Sequence, residues 1–171
     1  MKKLLVISLA VFLFIGCAKK TLVRTGQQES AAVTATATQE MEQEPSVRFS
    51  DWEKIPEMQI GYFDFDKSEL TEAARNALKK NAEYMKNNTD LTFLVEGHCD
   101  ERGTVEYNLA LGQRRALSVR EYYAKLGVPL TNIGTISYGS EKPAVLGSSE
   151  ESWAKNRRTE TRVRNRKQNN E

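Results

Sequence analysis

Apolar and polar positions recur along this chain with two different periods, and the period assigns the elements. In residues 60–66, IGYFDFD, Phe63 and Phe65 alternate with Asp64 and Asp66, which predicts a first strand. From Thr71 the spacing lengthens. Ala74, Leu78, Asn81 and Met85 recur at steps of three and four, with Ala77 and Ala82 beside them, giving one side of a helix that Asn87-Asn88 ends. Ser68 or Thr71 is its cap, and Glu72 stands where the helix dipole favours an acid. The run LTFLVEG, residues 91–97, predicts a second strand.

The longest unbroken pattern comes next. Leu109, Gly112, Ala116, Val119, Tyr123 and Leu126 keep steps of three and four, with Thr104 as N-cap and Gly127 as stop. A glycine inside a helix costs about 1 kcal/mol relative to alanine, so Gly112 is expected to pack closely on the sheet. Residues 133–138 predict a third strand, 150–156 a short helix or turn, and 158–164 a last strand. Thr159, Thr161 and Val163 give that last strand little apolar surface, so an edge position or a half-exposed face is expected. The order β-α-β-α-β-(α)-β predicts an α/β (α+β) fold. It is a two-layer sandwich with helices packed on one mixed sheet, mostly parallel with an antiparallel last strand.

The N-terminal third follows neither period. After Met1-Lys2-Lys3, an apolar run over 4–15 is too short to span a bilayer, which needs roughly 20 residues. Its position and all-round apolarity predict a signal segment, residues 1–16. Residues 17–50 hold no sustained period, and SAAVTATATQEMEQEP within them has no aromatic residue. Such sequence cannot bury enough apolar surface to offset the entropy of ordering, so a tether is expected, on the order of 30 Å long as a coil and roughly 110 Å fully extended. This leaves a globular domain over 51–165 and a polar tail over 166–171.

Composition adds limits rather than direction. Without Lys2 and Lys3, Lys+Arg and Asp+Glu are equal at 23 each, so net charge names no partner. The basic stretch NRRTETRVRNRKQ alternates with Thr and Glu as a solvated strand face would. It lacks the interleaved aromatics of a base-stacking surface, so nucleic acid is not an expected partner. The single histidine, His98, adjoins Cys99, but neighbours on a strand point to opposite faces and cannot act as a pair. No G-x-S-x-G elbow, phosphate-cradling glycine run or metal-ligand spacing occurs. The chain is therefore expected to be no enzyme and to need no metal or cofactor. An unpaired Cys99 is expected to be a small buried hydrophobe.

One constellation remains. Strand two leads into Asp100-Glu101-Arg102-Gly103, and Asn108, Leu111 and Arg115 share a side of the following helix. A carboxylate at a strand end and a guanidinium on the next helix suit a ligand carrying both an amine and a carboxylate. From spacing alone, Asp100 and Arg115 are equally a local ion pair.

The motifs FDFDKSEL (63–70), EGHCDERGTVEYNLALGQRRA (96–116), SYGSEKPAVLG (137–147) and KNRR (155–158) resemble the peptidoglycan-associated lipoprotein family, whose globular part is an outer-membrane-protein-A-like C-terminal domain. Phe14-Ile15-Gly16-Cys17 resembles a bacterial lipobox, with Phe where Leu is usual, and Ala18 follows rather than the Asp of inner-membrane retention. The resemblance implies a lipidated Cys17 in the outer membrane, facing the periplasm. It also implies peptidoglycan bound non-covalently through meso-diaminopimelate. Asp100 would then hold the ligand's ammonium and Arg115 its carboxylate, with Arg102, Leu111, Phe65 and Asp66 lining the pocket and Asn108 bracing the loop. The implied partner is the Tol-system periplasmic propeller protein, and the implied role is in outer-membrane constriction at division. Two other readings stand beside it: a cell-wall hydrolase using His98 or Cys99, and an interaction protein that holds a periplasmic partner without gripping the wall.

Overall fold

Each α-helix among the described residues begins where a hydroxyl closes its first turn. In the computed structural model, which describes residues 51–166, Thr71 Oγ1 accepts from Ala74 N at 3.1 Å and α1 runs over Glu72–Asn87. Thr104 plays the same part for α2, Val105–Lys125, accepting from Tyr107 N at 3.2 Å. Gly127, with φ of 90°, follows the end of α2 in the left-handed region that favours glycine. Ser149 caps α3, Glu150–Asn156. The strands are β1 (Gly61–Tyr62), β2 (Leu91–His98), β3 (Ile133–Gly139) and β4 (Arg158–Asn165). The expected signal segment, Cys17 and the tether lie outside the described residues, as do residues 167–171 of the polar tail.

The sheet has the order β1-β4-β2-β3. β2 and β3 are parallel, and β4 runs antiparallel to both β2 and β1. The α/β class and mixed sheet match the sequence expectation. The core lies between the two long helices and one face of the sheet. Leu78, Ala82 and Met85 of α1 and Ala116, Val119 and Tyr123 of α2 cluster with Phe93, Val95, Ile133 and Val163. Burying each of the larger of these side chains contributes about 1.5–3 kcal/mol. Asn81, the polar member of the inward side of α1, binds the backbone of Gln59 and the hydroxyl of Tyr123. It thereby ties the segment before β1 to the core.

Gly112 is explained as expected. A Cβ on Gly112 would meet Ser137 Oγ at 2.3 Å, and one on Gly97 would meet Gly112 O at 1.9 Å. The α2 backbone therefore rests directly on β2 and β3, which brings the start of α2 close to the end of β2.

Two expectations are corrected. The aromatic run 60–66 contributes only Gly61–Tyr62 as strand. Beyond Tyr62, arginine side chains rather than a strand take the carbonyls of Phe63, Asp64 and Lys67, and Asp66 has a φ of 57°. β4 is not an edge strand with a solvated face: it lies between β1 and β2 and is almost wholly buried. Thr159, Thr161 and Val163 alternate with charged residues, and Thr161 meets the Tyr123 hydroxyl at 3.1 Å on the helix side. The charges compensate one another. Arg158 pairs with Glu160 at 2.7 Å, and Arg162 pairs with Glu96 of β2 at 2.9 Å and with Glu160 at 3.4 Å. Opposite charges on neighbouring strands stabilise a polar strand at a sheet centre, so few aliphatics do not imply an edge.

Candidate functional site

The loop between β2 and α2 turns at Asp100, and Asn108 holds the turn from the helix side. Its Nδ2 donates to Arg102 O at 3.0 Å and Asp100 O at 3.4 Å. Asn108 thus braces the loop, in the geometry that its helical spacing from Arg115 allowed. Above it, the loop after β1 is drawn inward by Arg115, which is completely buried. Arg115 Nε donates to Lys67 O at 2.8 Å, Nη1 to His98 O at 2.8 Å, and Nη2 to Asp64 O at 3.1 Å. One guanidinium therefore binds two loops to α2.

Between these loops lies a cavity of about 200 Å³. Phe65, Asp66, Asp100, Arg102, Asn108, Leu111 and Arg115 all line it, so the structure brings the seven sequence-selected residues to one place. Cys99, Gly103 and Tyr107 complete the lining. Phe65 and Tyr107 are exposed at the rim, where the Tyr107 hydroxyl donates to Asp66 Oδ1.

The electrostatics differ from a simple Asp100–Arg115 pair. Among the described residues, Asp100 pairs with Arg102, at 2.7 Å from Nη2, and with Arg157, at 3.3 Å from Nη1. Burial alone would push the Asp100 carboxyl up, but hydrogen bonds from the Arg102 side chain and backbone and from Arg157 outweigh it and hold it below its ordinary value. Asp100 is thus a buried, ionised carboxylate. Burial lowers the Arg115 pKa, with Cys99 and Asp100 opposing that. Three of its N–H groups are engaged by carbonyls and a fourth points at Cys99 Sγ at 3.5 Å. One Nη2 hydrogen has no protein partner among the described residues.

Cys99 is buried and unpaired, and its thiol donates to Asn108 O at 3.3 Å. Burial pushes its pKa up. His98 stacks instead on Tyr138, with ring centroids 5.6 Å apart.

Several contributors were not singled out from the sequence. Arg157 donates to Phe63 O, Asp100 and Glu150, and so joins the segment after β1, the cavity and α3. It stands within KNRR, so the motif marked its position, but nothing in the spacing gave its partners. Trp153 and Glu150 come from a short helix more than 30 residues after Arg115, and only the fold brings them alongside Arg102.

Residues 62–157 match the model of the OmpA family. The chain belongs to that family. Its relatives are more specific. A peptidoglycan-associated lipoprotein of Brucella melitensis is 36% identical over 158 residues, covering 91% of this chain and 89% of that one. A peptidoglycan-associated lipoprotein of Haemophilus influenzae is 52% identical over 97 residues, 57% of this chain and 63% of the relative. The crystal structure of the peptidoglycan-associated lipoprotein from Burkholderia pseudomallei aligns with a TM-score of 0.60 at 43% identity, over 61% of this chain and 89% of that chain. Within the OmpA family, this chain is therefore a member of the peptidoglycan-associated lipoprotein group that its four motifs resemble. The periplasmic domain of Helicobacter pylori MotB aligns with a TM-score of 0.56 at 20% identity, over 67% of this chain and 80% of that chain, and shares the fold alone.

Proposed function

We propose that this chain is an outer-membrane lipoprotein, anchored at Cys17 and facing the periplasm, that binds peptidoglycan non-covalently and so tethers the outer membrane to the cell wall. The ligand is the meso-diaminopimelate of the stem peptide, whose distal carbon bears an ammonium and a carboxylate together. The observation that carries the reading is the cavity itself: a buried ionised Asp100 stands beside guanidinium groups of Arg102 and Arg115 that keep unclaimed N–H donors. The ammonium faces Asp100 and the distal carboxylate turns towards Arg115, with Leu111 and Phe65 against the aliphatic part and Asp66 at the rim. Binding requires no bond to be made or broken, so the protein is no enzyme and turbidity of sacculi stays constant in its presence. Several acyl chains on Cys17 would anchor it, since a single chain binds a bilayer only marginally. The names of the relatives support this reading, and the family resemblance adds a place in the Tol system, beside its periplasmic propeller protein, during division.

The test is a titration with a stem peptide ending in diaminopimelate, followed by amide shifts. Residues 65–66 and 100–115 are expected to move. A lysine-containing peptide lacks the distal carboxylate, leaves a buried guanidinium without its acceptor, and is expected to bind at least about tenfold more weakly. Equal binding of the two peptides, or shifts confined to another surface, would remove the site assignment. Co-purification with the propeller protein without any binding to sacculi would favour a purely protein-binding role.

A further inference from the structure

The Arg102 guanidinium packs against two aromatic rings. Its Cζ lies 3.9 Å from the centroid of Phe65, on the loop after β1, and 4.0 Å from that of Trp153, on α3. Rings from two separate elements thus pack on one guanidinium. One edge, Nε and Nη2, is engaged by Asp100 at 3.2 and 2.7 Å. The other edge, Nη1, has only a distant acid, Glu150 at 3.9 Å, and the side chain remains 30% exposed. Trp153 is fixed in turn, since its Nε1 donates to Glu101 Oε1 at 3.1 Å. An arginine that lines the cavity is thus prevented from swinging away, and its unclaimed edge stays at the mouth. Arg115, by contrast, is buried with most of its donors on backbone carbonyls.

We infer that Trp153 is a positioning residue of this site: by closing Arg102 against Phe65 it presents the free guanidinium edge, beside Arg115, to the distal carboxylate of the bound ligand, and so makes α3 part of the specificity for that anionic group. The inference rests on the stem-peptide reading above. Holding the fork in place before binding removes the entropy otherwise lost in ordering a long side chain, so the clamp acts on ligands that carry the carboxylate and not on those without it.

The full chain in mild detergent, titrated calorimetrically with diaminopimelate and lysine stem peptides, separates the possibilities. Trp153→Ala is expected to weaken the diaminopimelate peptide about fivefold, a typical size for loss of one cation–π face, while leaving the lysine peptide unchanged. Trp153→Phe restores binding because it restores a ring face. In an Arg102→Lys background, Trp153→Ala is expected to add no further loss, since an ammonium lacks the broad guanidinium face that the ring packs on. Equal weakening of both peptides, or none for either, overturns the role of Trp153 while the functional reading stands. Failure of the unsubstituted chain to bind either peptide overturns the functional reading and this inference with it.

Discussion

Arg115 shows how a single side chain can hold a site together. Its guanidinium reaches carbonyls of Asp64, Lys67 and His98. Arg115→Ala would remove all three bonds, the one to His98 O buried and the other two part-buried, at about 1 kcal/mol each. The expected loss is about 3 kcal/mol by urea denaturation, with faster hydrogen exchange at residues 64–67. Arg115→Lys recovers only part of this, because one ammonium cannot reach three carbonyls set in different directions. Loss of wall binding in Arg115→Ala therefore mixes ligand contact with loop collapse, and variants at the rim read the ligand more cleanly. Cys99 gives a second check at this scale. With its thiol buried and its pKa pushed up by that burial, alkylation is expected to be slow in the folded protein and fast in urea.

At the scale of elements, the seating of α2 on the sheet decides where the cavity lies. Gly97 and Gly112 meet backbone to backbone, and a Cβ on Gly97 has no flexible neighbour to displace, since the atom it meets at 1.9 Å is the carbonyl oxygen of Gly112. Gly97→Ala is expected to cost about 1–3 kcal/mol or more from overpacking. In a thermal melt that lowers Tm by several degrees for a domain of this size. Because α2 carries Asn108, Leu111 and Arg115, the same variant also weakens stem-peptide binding. Thr104→Ala, which removes only the α2 cap, is expected to cost about 1 kcal/mol.

For the molecule as a whole, pH acts through its buried acids. Burial pushes Glu96, Asp100 and Glu160 up, but their partners outweigh it: His98 and Arg162 for Glu96, Arg102 and Arg157 for Asp100, Arg158 and Lys54 for Glu160. All three are held below their ordinary values. Near pH 4 the unfolded chain thus binds more protons than the folded one. The stability from these groups is complete above that range and is lost as the pH falls through their folded pKa values. Melts between pH 7 and 2 are expected to show a steep acid limb that Glu96→Gln and Glu160→Gln flatten. Tyr123 works at the other end, since burial pushes its pKa from 10.0 up to about 12. Above pH 10 the unfolded chain gives up that proton first, so stability falls between about pH 10 and 12.

Local order was legible in the sequence because periodicity and capping are local properties. Thr104 caps α2 as expected, Thr71 rather than Ser68 caps α1, and α3 spans the predicted residues. The spacing of Asn108, Leu111 and Arg115 placed them on one side of α2, and the turn at Asp100 set the acid beside them. What the sequence could not decide was partnership across long separations. The polar pattern of β4 suggested an edge, yet the strand is central, because its charges are matched by Glu96 on β2 and by each other. The aromatic run after Tyr62 suggested a longer strand, yet Arg115 and Arg157 claim its carbonyls from 51 to 94 residues away. A pattern of side chains tells which face a residue occupies. Only the closed sheet and the packed helices tell which distant charge will meet it there, and that meeting places Arg102 against Phe65 and Trp153.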